Sequence, residues 1–108
     1  MKIVYSSIIP FKGFKALNLF GIWLFVRKGV TLTEKEMNHE KIHSMQWKET
    51  WYIGFILLYV LHLFYLLLVY WNFHKAYRNI CFELEAYNND DYLNYLVYRE
   101  KYAWKDYL

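Results

Sequence analysis

The chain has 108 residues, a net charge of +3 and 57% apolar residues, with aromatic side chains at 23% of positions. One domain with a modest core is the natural expectation at this length, so this much apolar surface implies a membrane, an oligomer or both. No Lys/Arg run is interleaved with aromatics, which excludes nucleic acid as a partner and leaves a weak attraction to anionic lipid heads; the single cysteine, Cys81, excludes an internal disulfide and reads as core filler.

Residues 2–9 (KIVYSSII) are rich in β-branched types and read as a short strand. The apolar runs of the first fifteen residues are broken by Pro10, Lys12, Gly13 and Lys15, with no small-residue cleavage site, so they do not read as a signal peptide. Pro10–Lys15 reads as a turn. Residues 16–27, ALNLFGIWLFVR, read either as a strand pair bent at Gly21 or as one long strand, and are too short to cross a bilayer as a helix. Lys28-Gly29 closes this β-rich part, residues 1–30. Thr33 followed by Glu36 forms a capping box, and Glu34 and Glu36 suit the positive end of a helix dipole, so a helix is predicted over about 33–51.

Residues 51–71, WYIGFILLYVLHLFYLLLVYW, are apolar on every side, carry no charge and have a tryptophan at each end, the pattern of a membrane helix with aromatic belts. The alternative, a central helix of a large bundle, needs more covering helices than this chain has. Asn72–His74 breaks the run. Residues 75–88, KAYRNICFELEAYN, read as a further helix, Asn88, Asn89 and Asp90 mark a boundary rich in cap residues, and 90–106 reads as a last amphipathic, Tyr-rich helix suited to packing and a membrane interface. The fold class is therefore mainly α with a small N-terminal β-sheet (α+β), in a single domain over 1–108.

The chemistry starts at HEKIH, residues 39–43. On a helix, i and i+4 lie on one face, so His39 and His43 can place two imidazoles on one metal ion, with Glu40 beside them as a general base for a water activated by that ion. Read blandly, the same five residues are a solvated helix face. A catalytic zinc takes three protein ligands, and Glu83 is the candidate third: Glu83, Ala86 and Tyr87 share a face, and the small Ala86 lets the two helices approach. Glu85 points about 200° away and is the second choice. The bland reading of both carboxylates is a solvated face.

HEKIH followed by the E-x-x-A of Glu83–Ala86 resembles the gluzincin zinc peptidases, and within them the membrane-embedded branch: the CaaX prenyl and heat-shock membrane proteases and the peptidase domain of β-lactam-sensing transducers. Single-domain minigluzincins are about this long, and small bacterial proteins share the NHExIH…FExEAY pattern. The likeness covers roughly residues 33–88, with two specific stretches. It implies zinc held by His39, His43 and Glu83, Glu40 as the base, and a peptide or protein substrate. Where the family carries an aspartate supporting a ligand histidine, this chain has Tyr87, which brings no charge, so weaker metal binding or lost activity is the alternative expectation. The family's substrate-holding edge strand falls, by position, at Gly21–Arg27; an ordinary core strand is the equal alternative.

A single bilayer crossing at 51–71 would put HEKIH and Glu83 on opposite sides. An up-down-up path avoids this. At 1.5 Å per residue the chain rises about 13 Å to residue 50, descends about 27 Å to residue 71 and climbs about 18 Å to Glu83, a mismatch of about 5 Å. That path needs reversals near Trp51–Gly54 and Asn72–His74, with Gly54 the weaker turn. Among single residues, His62 reads as a substitute ligand or a neutral buried histidine, His74 as an oxyanion donor or a surface cap, and Arg78 as a carboxylate-orienting or a solvated cation. Tyr87, Tyr92 and Tyr95 are possible oxyanion donors.

The leading expectation is a membrane-associated zinc metallopeptidase, placed by the resemblance at a bacterial inner membrane. The alternatives are an inactive relative that keeps the fold, a non-enzymatic membrane partner or assembly factor, and a soluble domain that hides its apolar helix in a homo-oligomer.

Overall fold

A computed structural model describes residues 1–8 and 15–108. Its elements run β1 (Lys2–Ser6), β2 (Ala16–Leu19), β3 (Trp23–Arg27), α1 (Glu34–Glu49), α2 (Ile53–Tyr70), α3 (Phe73–Asn79), α4 (Cys81–Asn89), α5 (Tyr95–Tyr98) and a closing 3₁₀ turn at Ala103–Tyr107. This is the mainly helical α+β class with a small N-terminal sheet. The turn expected at Pro10–Lys15 lies, apart from Lys15, outside the described residues.

The sheet order is β1-β3-β2, with β1 parallel and β2 antiparallel to β3. The 16–27 stretch is thus a hairpin, Leu19 pairing with Trp23 around Phe20-Gly21-Ile22. Gly21 sits at φ +70°, and a Cβ there would meet the Ser44 backbone at 3.1 Å and Trp47 Cβ at 3.3 Å. Its missing side chain therefore serves both the left-handed turn and the seating of the hairpin on α1. Gly21→Ala is expected to destabilise the fold by ~2 kcal/mol, read as a melting temperature lower by roughly 10 °C.

The capping box forms as expected: the Thr33 hydroxyl accepts from Glu36 N–H at 3.1 Å and Glu36 Oε1 accepts from Thr33 N–H at 3.0 Å. The chain then reverses at Trp51–Tyr52, ahead of Gly54. Both residues have positive φ, and Tyr52 N–H reaches Trp47 O while Trp51 N–H reaches Lys48 O. This is a Schellman closure with tryptophan in the place glycine usually takes, so Gly54, one residue inside α2, is not the hinge. The second reversal uses Trp71 in the left-handed region and Asn72, whose side chain caps α3 by accepting from Lys75 N–H.

Two helix expectations are corrected. The helix predicted over 75–88 is two helices, broken at Ile80, whose extended backbone drives its side chain into complete burial. The helix predicted over 90–106 shrinks to α5 and the 3₁₀ turn. Arg99 leaves helical geometry at ψ 131°, and its side chain, with the Tyr102 N–H, turns to the Glu49 carboxylate. Those charge-assisted bonds replace the i→i−4 bonds that a continuous helix would make.

The core joins α1, α2, α4 and the C-terminus through aromatic contacts: Trp47 on Phe55 (4.2 Å between ring centroids), Phe55 on Phe82 (4.5 Å) and Phe82 on Trp104 (5.1 Å). Cys81 is buried beside them, and burial pushes its thiol up to about 11, the state of an inert core filler. α2 is long and apolar enough to cross a membrane. Of its residues only Phe55 and Leu66 are buried, while Trp51 and Trp71 at its ends are almost fully exposed.

Candidate metal centre

Three turns of two helices make the site. On α1, His39 and His43 face α4; Glu83 and Tyr87 of α4 and Asp90 at its C-cap follow one another at helical spacing and face back. Fully buried Ala86 lets the helices close up. The two Nε2 atoms lie 3.1 Å apart, and Glu83 Oε1 lies 3.4 Å from that of His39 and 3.2 Å from that of His43. Four-coordinate zinc, with nitrogen and oxygen bonds of about 2.0–2.1 Å, needs donors about 3.3 Å apart, so the triangle has the required size. The cluster can hold a metal ion.

Each donor is held from behind. His39 Nδ1 lies 3.0 Å from Asp90 Oδ2, and His43 Nδ1 lies 2.7 Å from Gln46 Oε1. Both are acceptors, so each Nδ1 carries a proton, and a ring with no second proton turns the lone pair of its Nε2 toward Glu83. The Tyr59 hydroxyl donates to Glu83 Oε2 at 2.8 Å, leaving Oε1 for the shared point. Asn38 fixes the turn that carries Asp90 by donating to the carbonyls of Asp90 and Tyr92. Two lone pairs and a carboxylate oxygen this close repel unless a cation lies among them, and ligand histidines held at their other nitrogen are the pattern of a metal site.

Without a metal that cation is a proton. Burial pushes His43 down, but the Glu83 carboxylate outweighs it and raises the imidazole from 6.5 to about 9. Burial likewise pushes Glu83 up, and His43 and His39 overcome it, holding the carboxyl far below the usual carboxylate range. Because the folded His43 value is raised, its stabilising effect is complete below the unfolded value of 6.5 and disappears as pH climbs through about 9. The metal-free protein is therefore expected to lose melting temperature between about pH 6.5 and 9. Zinc should restore stability across that window and release a proton as it binds, read by thermal scans and by proton release into a weak buffer.

Glu40 is half-buried and lines a cavity of about 470 Å³ that also reaches His39, His43 and Glu83. Desolvation raises its carboxyl above the ordinary 4.5, against the pull of His43 and His39. The far walls of the cavity come from Ala16–Leu19 of β2 and from Ile56, Val60 and Leu63 of α2. Of the two readings of Gly21–Arg27, the ordinary core strand holds and the edge strand does not: β3 is central, paired on both sides, and the edge strand on the cavity is β2. Asn18 ties β2 to α1 by donating to Glu40 O at 2.9 Å and Ser44 Oγ at 3.2 Å.

His39, His43 and Glu83 come together as expected, with Glu40 alongside. Glu85 does not join them. It is fully buried, neither ligand nor solvated, and is held by Gln46, Tyr95 and Arg99. His62 accepts Cys81 N–H at 3.2 Å, capping α4. His74 and Arg78 are exposed, the Arg78 guanidinium stacking 3.7 Å from the centroid of the Tyr87 ring. Tyr87 packs its ring 4.4 Å from that of His39, and a carboxylate behind that histidine comes from Asp90 three residues on. Asp90 and Gln46 were missed as site residues. Their signals were the seven-residue step from Glu83, two helical turns, and the three-residue step from His43, one turn.

The chain matches no protein-family model, no curated protein and no solved structure.

Proposed function

We propose that this chain is a membrane-associated zinc metallopeptidase, with His39, His43 and Glu83 as ligands and Glu40 as general base. The observation that carries the reading is the donor triangle of zinc dimensions with a desolvated carboxylate beside it on the same cavity. A bound zinc ion would polarise a scissile carbonyl and supply a nucleophilic water near neutral pH. Glu40 takes the proton of that water and passes it to the leaving amine; its raised carboxyl brings its basicity closer to working pH. The outer edge of β2, unpaired among the described residues, offers backbone groups to an extended peptide, and the apolar wall from α2 suits an apolar side chain next to the cleaved bond. Asp90, 3.0 Å behind His39, supports the reading by supplying a carboxylate that Tyr87 lacks. The exposed apolar surface of α2 between two exposed tryptophans supports lipid as its surroundings, with the inner membrane of a bacterium as the site suggested by the motif resemblance.

Peptide cleavage by carbonate-washed membranes bearing the chain tests this. Activity is expected to remain in the washed membrane, vanish with chelator, return with zinc, and fall by ~10²–10⁴ in Glu40→Gln while zinc content stays. Equal cleavage by Glu40→Gln overturns the assigned base. Zinc binding without cleavage of any peptide favours the non-enzymatic partner, and release as a soluble oligomer favours a second copy covering α2.

A further inference from the structure

We infer that Glu85 is a positioning residue for the metal centre, acting through Gln46 to set which nitrogen of His43 faces the ion. The inference rests on the metal-site reading above. The Glu85 carboxylate is held on one side by Arg99, through Nε and Nη2, and by the Tyr95 hydroxyl at 2.7 Å. On the other side its Oε1 accepts from Gln46 Nε2 at 2.9 Å, and Nε2 also donates to the Phe82 carbonyl at 3.0 Å.

A carboxylate and a carbonyl only accept, so the nitrogen of the Gln46 amide must face them. The reversed amide would set its oxygen against two acceptors at a side chain with no exposed surface, where an unmade hydrogen bond is costly. The amide oxygen is thereby turned to His43 Nδ1 at 2.7 Å. That oxygen cannot donate, so the proton of the neutral ring stays on Nδ1 and the lone pair of Nε2 points to His39 and Glu83. His39 is oriented by a carboxylate in direct contact, Asp90, whereas His43 is oriented by a carboxylate one amide removed. The Arg99 cation contacts the Glu85 carboxylate at the far end of this relay.

The test uses the full chain in detergent micelles with ¹⁵N-labelled histidine. In the zinc-loaded wild type, His39 and His43 are expected to show protonated Nδ1 and metal-bound Nε2. Glu85→Gln lets the Gln46 amide turn, so zinc affinity should fall 10–100-fold and the His43 signals should report mixed tautomers while those of His39 stay. Gln46→Met should lose as much, and the double variant no more than Gln46→Met alone, because both residues act in one relay. Should Glu85→Gln not fold, Gln46→Met and the wild-type spectrum carry the test, and zinc on His43 Nδ1 overturns the inference. Unchanged zinc affinity with unchanged His43 signals in folded Glu85→Gln overturns it and leaves the metal site standing. A wild type that binds no zinc overturns both.

Discussion

On the proposed ligand assignment, replacing His39 or Glu83 with alanine is expected to abolish zinc binding. The donor triangle is closed by three atoms and each substitution removes one of its corners. If apparent zinc binding of ~10–16 kcal/mol is shared among three ligands, each loss amounts to ~3–5 kcal/mol, or ~10²–10⁴ in affinity. The scale has a middle step. Asp90→Asn keeps all three donors but weakens the partner 3.0 Å behind His39, and is expected to cost 10–100-fold. His62→Ala and His74→Ala should leave affinity unchanged, since His62 accepts from Cys81 N–H and His74 is exposed. Metal analysis and competition with a coloured chelator read all five variants. Full zinc content in Glu83→Ala would sink the ligand assignment.

The second large effect lies outside the metal site. Arg99→Met should destabilise the fold by about 3–5 kcal/mol, because it leaves two carboxylates without their cation in a dry setting. The Arg99 side chain is 2% exposed; it grips Glu49 with two parallel bonds of 2.7 and 2.8 Å and reaches Glu85 with two more. Burial alone would raise the Glu49 carboxyl, and the hydrogen bonds from Arg99 reverse this, so that it lies below its ordinary value of 4.5. A carboxyl depressed in the folded state stabilises above its unfolded value and loses that effect as pH falls through the folded one. The gap in stability between wild type and Arg99→Met should therefore be widest near neutral pH and narrow below about 4.5, as Glu49 takes up a proton. Denaturant titrations at two pH values measure this, and equal gaps at both would show that lost packing, not charge, causes the destabilisation.

What was legible in the residue order is what short-range physics controls. The capping box at Thr33 and Glu36, the i,i+4 pair His39 and His43, the uncharged run between two tryptophans and the helical spacing of Glu83, Ala86 and Tyr87 all act within a few turns. They yielded α1, α2, the hairpin option and the donor set. The break at Ile80 carried no proline or glycine to announce it; at the break that side chain is fully buried in the core cluster, a tertiary contact. The C-terminal helix failed for a related reason, since Arg99 meets Glu49 fifty residues earlier and gives up helical backbone to do so. The edge that borders the cavity depended on strand order, which a reversal of chain direction decides and local periodicity does not record. Asp90 behind His39 is 51 residues distant along the chain, and the Gln46–Glu85 contact spans 39. Such pairs form only once α1 and α4 are packed face to face. Their free energy comes from desolvated partners meeting, and no window of sequence contains both.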